Sequence, residues 1–281
     1  MACNEICKKG ANPFDLISEM QEKKNAIEVS DAILQRYDPI EKMPSKVRKG
    51  MSGKPAISLC VIEPRLPNPI EGSIFNDLIH ISGGKYQCLA VWLHLGKPSR
   101  VKKRIHSFIE NLASTGEKEI VFLHTGCYTT ATTLAKKNEV DVPFRSIHLF
   151  EYLLEHLKAR GDEIRKLNMK IAYHRPCTSR LAPDKEPLLD DLFEMIGVER
   201  VIRKYDHKKT LCCGAPLATR DKNRMRELME KNLDDAKQAK AEAMVFYCVG
   251  CFRFLNAGAL QRNMKAYMIS DLCRLAIGEK L

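Results

Sequence analysis

Short apolar blocks alternate with longer amphipathic stretches along this chain. KPAISLC (54–60), EIVFLHTG (119–126), KIAYH (170–174) and AMVFY (243–247) have the length of buried strands, and CLAVWLHLG (88–96) has the same look. SRVKKRIHSFIENLAST (99–115) and NRMRELMEKNLDDAKQAKAEA (223–243) instead repeat apolar residues at helical spacing. RSIHLFEYLLEHL (145–157) and KAYMISDLCRLAIG (265–278) each read as a strand running into an amphipathic helix, with Glu151 or Asp271 near its start. Strands alternating with helices predict an α/β fold with parallel strands and right-handed crossovers.

The pattern occurs twice. EIVFLHTGC (119–127) and AMVFYCVGC (243–251) match at an offset of 124 residues, and each is followed by a polar stretch and then one of the strand–helix segments. KPAISLCVIEP (54–64) matches KIAYHRPC (170–177) more loosely, as a strand entering a turn. The chain therefore reads as two pseudo-repeated α/β halves with short parallel sheets, residues 51–165 and 166–281. A helical leader over 1–50 precedes them, with a helix start at Asn12-Pro13.

Composition changes this picture in one respect. A chain of 281 residues with 44% hydrophobic content is large enough to fold without disulfides, yet it carries 11 cysteines. MACNEICKKG has no apolar run of the secretory kind, which points to a reducing, cytoplasmic setting, where clustered cysteines bind metal or do redox work. Five cysteines are ordered in the second half. Cys177 is separated by 34 residues from Cys212-Cys213-Gly214, and Cys213 by 34 residues from Cys248-Val-Gly-Cys251. A single cysteine is most often a packed core residue. Five at this spacing, on strand ends, make a soft thiolate set suited to an iron–sulfur cluster or to zinc. Gly250 is expected to let backbone approach the metal, and Gly214-Ala215-Pro216 to supply the bend that lets both adjacent cysteines face one site.

The YHRPC, LCCGAP and VFYCVGC segments resemble the CCG, or cysteine-rich, domain family. The resemblance extends over roughly 51–281 and is to the catalytic cysteine-rich subunit of heterodisulfide reductase and to the cysteine-rich subunits of succinate dehydrogenase and thiol-linked fumarate reductase. Glycolate and lactate oxidase iron–sulfur subunits share the pattern. It implies a noncubane [4Fe–4S] cluster held by Cys177, Cys212, Cys213, Cys248 and Cys251, with disulfide cleavage as its chemistry. His174, just before the first ligand, is a candidate proton donor and otherwise a packed strand residue. The chain is then an iron–sulfur oxidoreductase subunit, active within a complex with flavoprotein or ferredoxin-type partners.

The first half departs from that pattern. His124 stands where the second half has Cys248, Cys88 is the single cysteine near the expected Cys-Cys-Gly, and Cys60 lies near the place of Cys177. Cys60, Cys88, His124 and Cys127 form a Cys3His set that zinc or a modified cluster would accept, although their spacing is poor. The plainer expectation is a half that has lost its metal and keeps a scaffold or docking role. ACNEICKKGANPFDLISEMQEKK (2–24) resembles the last cluster-binding turn of a bacterial-type ferredoxin domain, with Lys8 in place of the usual proline. Cys3 and Cys7 do not complete a four-ligand site, and Cys273 falls on a core helix position matching Leu153.

The remaining features narrow the function. The net charge of +11 comes from lysines interleaved with acids along helices, which reads against nucleic acid and for an acidic partner or anionic substrate. No stretch has the apolar length of a membrane span, so membrane association would run through partner subunits. GMSGKPAIS (50–58) lacks the spacing of a phosphate loop, and dinucleotide, serine-hydrolase and zinc-protease motifs are absent from the sequence. Two alternatives stand beside disulfide reduction. One is electron transfer linked to quinone or to fumarate and succinate, and the other is a zinc-stabilised interaction module in which the fifth cysteine is surplus.

Overall fold

The computed structural model describes residues 1–61 and 70–281, so the end of the 54–64 match lies partly outside the described residues. The fold is α/β with two mostly parallel sheets, and the chain divides into two compact units. The first comprises Met1–Pro69, Asn76–Leu149 and Thr178–Ala182; the second comprises Ile70–Phe75, Phe150–Cys177 and Pro183–Leu281.

The first unit opens with Ala2–Ile6 (α1), Pro13–Lys23 (α2) and Asp31–Glu41 (α3). Pro13 takes the first helical position after Asn12, where its missing N–H goes unneeded. Lys46–Arg48 (β1), Ala56–Cys60 (β2) and Ile79–Ser82 (β3) follow, then Val91–His94 (α4), Pro98–Ala113 (α5) and Glu119–Phe122 (β4). Thr125–Thr129 (α6), a wide π turn over Thr130–Leu134, Ala135–Lys137 (α7) and Arg145–His148 (β5) complete it. The sheet order is β1-β3-β2-β4-β5, parallel except for β1, which pairs antiparallel with β3. β1 is an exposed edge that the polar sequence SKVRKG does not announce, and its lysine and arginine suit an edge position.

One expectation is corrected here. CLAVWLHLG is no strand: it is a buried turn with Leu89 at φ 56, running into the one-turn helix α4. An apolar run of that length does not by itself distinguish strand from helix. The stretch after Cys127 is polar in composition yet helical and largely buried, because its threonines bond back onto the helix: Thr130 Oγ1 donates to Gly126 O at 2.7 Å and Thr132 Oγ1 to Tyr128 O at 2.8 Å.

In the second unit Leu149–Lys158 (α8) is followed by Met169–His174 (β6), Glu186–Ile196 (α9), Val198–Arg200 (β7) and Lys222–Gln238 (α10). Ala243–Phe246 (β8), Val249–Gln261 (α11), Lys265–Met268 (β9) and Ile269–Ala276 (α12) close the chain. The helix read over 223–243 stops at Gln238, since Lys240 turns left-handed at φ 58 and Ala243 begins β8. The sheet order is β7-β6-β8-β9, all parallel. Ala56 faces Ile120 in the first sheet as Ala172 faces Met244 in the second, the pairing expected of a repeat.

Candidate metal centres

In the second unit the carboxyl ends of β6 and β8 meet the Cys-Cys-Gly turn. His174 is the last residue of β6 and is 1% exposed. Cys177 opens a 3₁₀ turn three residues later, and Cys248 caps α11 immediately after the β8 strand, with Cys251 one helical turn on. The ligand atoms of His174, Cys213 and Cys251 lie within 4.8 Å of one another. Cys213 is in hydrogen-bond contact with Cys212 and Cys251, and Cys251 also with Cys248. Cys177 stands at the strand end as expected, half-buried and outside that tight set.

The bend at Gly214 has the form expected from sequence, with φ 88 and ψ −14. A Cβ there would sit 2.9 Å from Met225 Cγ and 3.0 Å from Met225 O on α10. Gly250 is different: a Cβ would meet Cys248 Sγ at an ordinary 3.5 Å, so the protein atoms do not require glycine at that position.

Three side chains that sequence reasoning missed hold the loop from β7 to Cys212-Cys213. Asn232, fully buried on α10, donates through Nδ2 to Cys212 O at 3.1 Å and to Leu228 O at 2.7 Å. Arg203, its side chain wholly buried, donates to Tyr173 O at 2.6 Å and pairs with Asp235 at 3.0 Å. Asp235 also accepts the N–H groups of Lys204 and Tyr205. The only sequence hint was an asparagine on the inner face of a helix rich in charge, where burial requires a partner.

The first unit contains a second group. Cys60 ends β2, Cys88 lies in the turn before α4, His124 caps α6 and Cys127 sits one turn further on. Their four ligand atoms lie within 4.8 Å of one another, with Cys127 Sγ and His124 Nδ1 at 3.6 Å. His124 thus occupies the cap position that Cys248 has in the second unit. Gly126 makes room for it, because a Cβ there would come 2.8 Å from His124 Cε1. The poor sequence spacing is overcome by topology: parallel neighbours β2 and β4 end side by side.

The other cysteines stay apart from these groups. Cys3 lies in α1 and Cys7 caps its end, and neither joins such a set among the described residues. Cys273 is fully buried on α12, as Leu153 is on α8, and burial raises its thiol pKa.

Residues 171–256 match the family model of the CCG cysteine-rich domain, a span that includes Cys177, Cys212, Cys213, Cys248 and Cys251. Over this stretch the chain is similar to a cysteine-rich domain. No curated protein matches the chain. Among solved structures, a hypothetical protein from Helicobacter pylori is similar at 12% identity and a TM-score of 0.64, over 98% of this chain and 60% of that one. The chain thus spans 60% of that protein's length, and the likeness is one of fold. An aspartate racemase from Picrophilus torridus aligns at 10% identity and a TM-score of 0.41, over 82% of this chain and 96% of its own. A glutamate racemase from Campylobacter jejuni aligns at 9% identity and a TM-score of 0.31, over 80% and 88%.

The electrostatics of these thiols fit a cation. The Cys213 thiol is pushed well up by its contact with Cys212 and by burial, against a smaller opposing contact with Cys251. Cys251 is pushed up by Cys213, then Cys248, then burial. In the first unit burial and the neighbouring thiols push Cys127 up, whereas hydrogen bonds from Cys127 and Cys60 hold Cys88 well down. A hydrogen bond from Cys127 lowers Cys60, but Cys88 and burial outweigh it and leave the thiol at about 12. Crowded buried thiols of this kind do not ionise together unless a cation offsets their charge. Both donor sets, soft, buried and convergent, are therefore compatible with metal binding.

Proposed function

We propose that this chain is the iron–sulfur subunit of an oxidoreductase complex, with Cys177, Cys212, Cys213, Cys248 and Cys251 holding a [4Fe–4S] cluster of the noncubane kind. The observation that carries this reading is the match to the cysteine-rich domain, with the Cys212, Cys213, Cys248 and Cys251 thiols gathered beside one another. When bound, such a cluster supplies one-electron transfer and an iron open to a substrate sulfur. The chain's own contribution is to converge the thiolates, to exclude water by burial, and to hold a proton on the His174 ring near Cys213 and Cys251. The reaction is reduction of a disulfide to two thiols, which consumes two electrons from a flavoprotein or ferredoxin-type partner subunit and two protons. The chain works in the cytoplasm, and any membrane association runs through such partners.

A second reading draws on a different observation. The tight spacing of His174, Cys213 and Cys251 suits a single small ion, which favours a zinc-stabilised interaction module. Iron, zinc and acid-labile sulfide content of the anaerobically purified full chain, with electron paramagnetic resonance after oxidation, separates the two. About four irons and four sulfides per chain, lost in Cys212→Ser and Cys248→Ser, are expected for the cluster. A chain without iron or sulfide, whose second-unit zinc is lost in Cys213→Ser with Cys251→Ser, would replace the redox reading with the structural one.

A further inference from the structure

We propose that the first unit holds its own mononuclear zinc-type ion, closed by Cys60, Cys88, His124 and Cys127. This lies outside the matched stretch 171–256 and does not depend on what the second unit binds. It also replaces the expectation of a metal-free scaffold half.

Distance is the first argument. Around a tetrahedral zinc, bonds of about 2.3 Å to sulfur and 2.0 Å to nitrogen place the ligand atoms roughly 3.5–3.8 Å apart. The Cys127 Sγ to His124 Nδ1 separation is 3.6 Å, and all four ligand atoms fall within 4.8 Å. Chemistry is the second. Three thiols and one imidazole make a complete four-ligand zinc set, leaving no position open for a substrate. Cys60, Cys88 and Cys127 are 3%, 2% and 0% exposed and belong to the core beside Trp92, Phe108 and Phe122. A site so enclosed is structural in character.

The local backbone agrees. Cys60 takes φ 54 and Leu89, directly after Cys88, takes φ 56, a left-handed conformation that bulky residues rarely adopt. Both bends lie at or next to a cysteine of the set. The helix carrying Cys127 widens into a π turn at Thr130–Leu134, an irregularity frequent at functional sites. The ion would pin together the end of β2, the turn before α4 and the β4–α6 junction, three segments far apart in sequence.

The test uses the anaerobically purified full chain. Zinc-edge X-ray absorption should show three sulfurs and one nitrogen, and metal analysis about one zinc per chain beside whatever the second unit holds. Cys60→Ser combined with Cys127→Ser should remove at least about nine-tenths of that zinc while iron and sulfide stay unchanged, and Cys212→Ser with Cys248→Ser should do the converse. His124→Cys should retain zinc and convert the absorption signature to four sulfurs, which keeps the test valid should the double variant not fold. Wild-type zinc absent, a sulfur-only shell in the wild type, or iron and sulfide lost with Cys60 and Cys127 would each overturn the assignment. Loss of the second unit's iron reading alone would leave it standing.

Discussion

Gly214 and Asn232 show how single residues set the geometry of the Cys-Cys-Gly turn. At φ 88, with Met225 closing the space above it, Gly214 admits no side chain. Gly214→Ala should cost about 1–2 kcal/mol from the left-handed backbone alone, with the overlap on Met225 added. Denaturant unfolding should show that loss together with reduced metal content. Gly250→Ala, in the first turn of α11, should leave stability within about 1 kcal/mol of the natural chain, because its Cβ meets one sulfur at 3.5 Å. Asn232→Leu removes the donor to Cys212 O and leaves that carbonyl to find water. It should lower metal occupancy more than it lowers helix content, measured by metal analysis beside circular dichroism.

At the scale of elements, the loop between β7 and the Cys-Cys-Gly turn is held by buried charge pairs. Removing Arg203 leaves Asp235 facing two backbone N–H groups and no cation, and removes the cap on Tyr173 O. Arg203→Ala is expected to destabilise the second unit by about 3–5 kcal/mol, and Arg203→Ala with Asp235→Ala by less than the sum of the single changes. The neighbouring pair Arg200–Asp206, 2.6 Å apart, adds a pH dependence. Burial pushes the Asp206 carboxyl up, but the hydrogen bond and charge of Arg200, with Arg203, outweigh it and hold it below the usual range. Its stabilisation is therefore present above the ordinary aspartate pKa and is lost as pH falls through the depressed folded value. Asp206→Asn should lower the urea midpoint at neutral pH, and the difference from the natural chain should close as pH falls through the depressed folded value.

Across the whole molecule, each unit repeats one construction in which neighbouring parallel strands end together and the following helix begins at a ligand. Crowding and burial push the Cys213, Cys251 and Cys127 thiols well up, while Cys88 is held down, so metal uptake should release protons from the raised thiols. Zinc titrated into the metal-free chain should bind about tenfold more weakly for each pH unit lowered per proton displaced, followed by competition with a chromophoric chelator. An affinity independent of pH between about 6 and 8 would mean that the thiols are already ionised.

The repeat, the α/β class, the strands at 56–60, 119–122, 169–174 and 243–246 and the order of the five second-half cysteines were legible in sequence, because hydrophobic periodicity and ligand spacing are local properties. The helix start at Pro13 and the core position of Cys273 were legible for the same reason. The run at 88–96 reads as a strand because its all-round burial hides the period. The edge strand β1 has no signature in the sequence because its pairing comes wholly from β3. The first-unit set was the least legible. Its residues are separated by 28, 36 and 3 positions, and no local pattern joins them. Their convergence comes from the parallel pairing of β2 with β4 and from left-handed turns at Cys60 and Leu89. Sequence supplied the donor atoms and, through the repeat, a candidate set, and tertiary structure decided that the four converge, since strand order and backbone bends are settled by packing of the whole core.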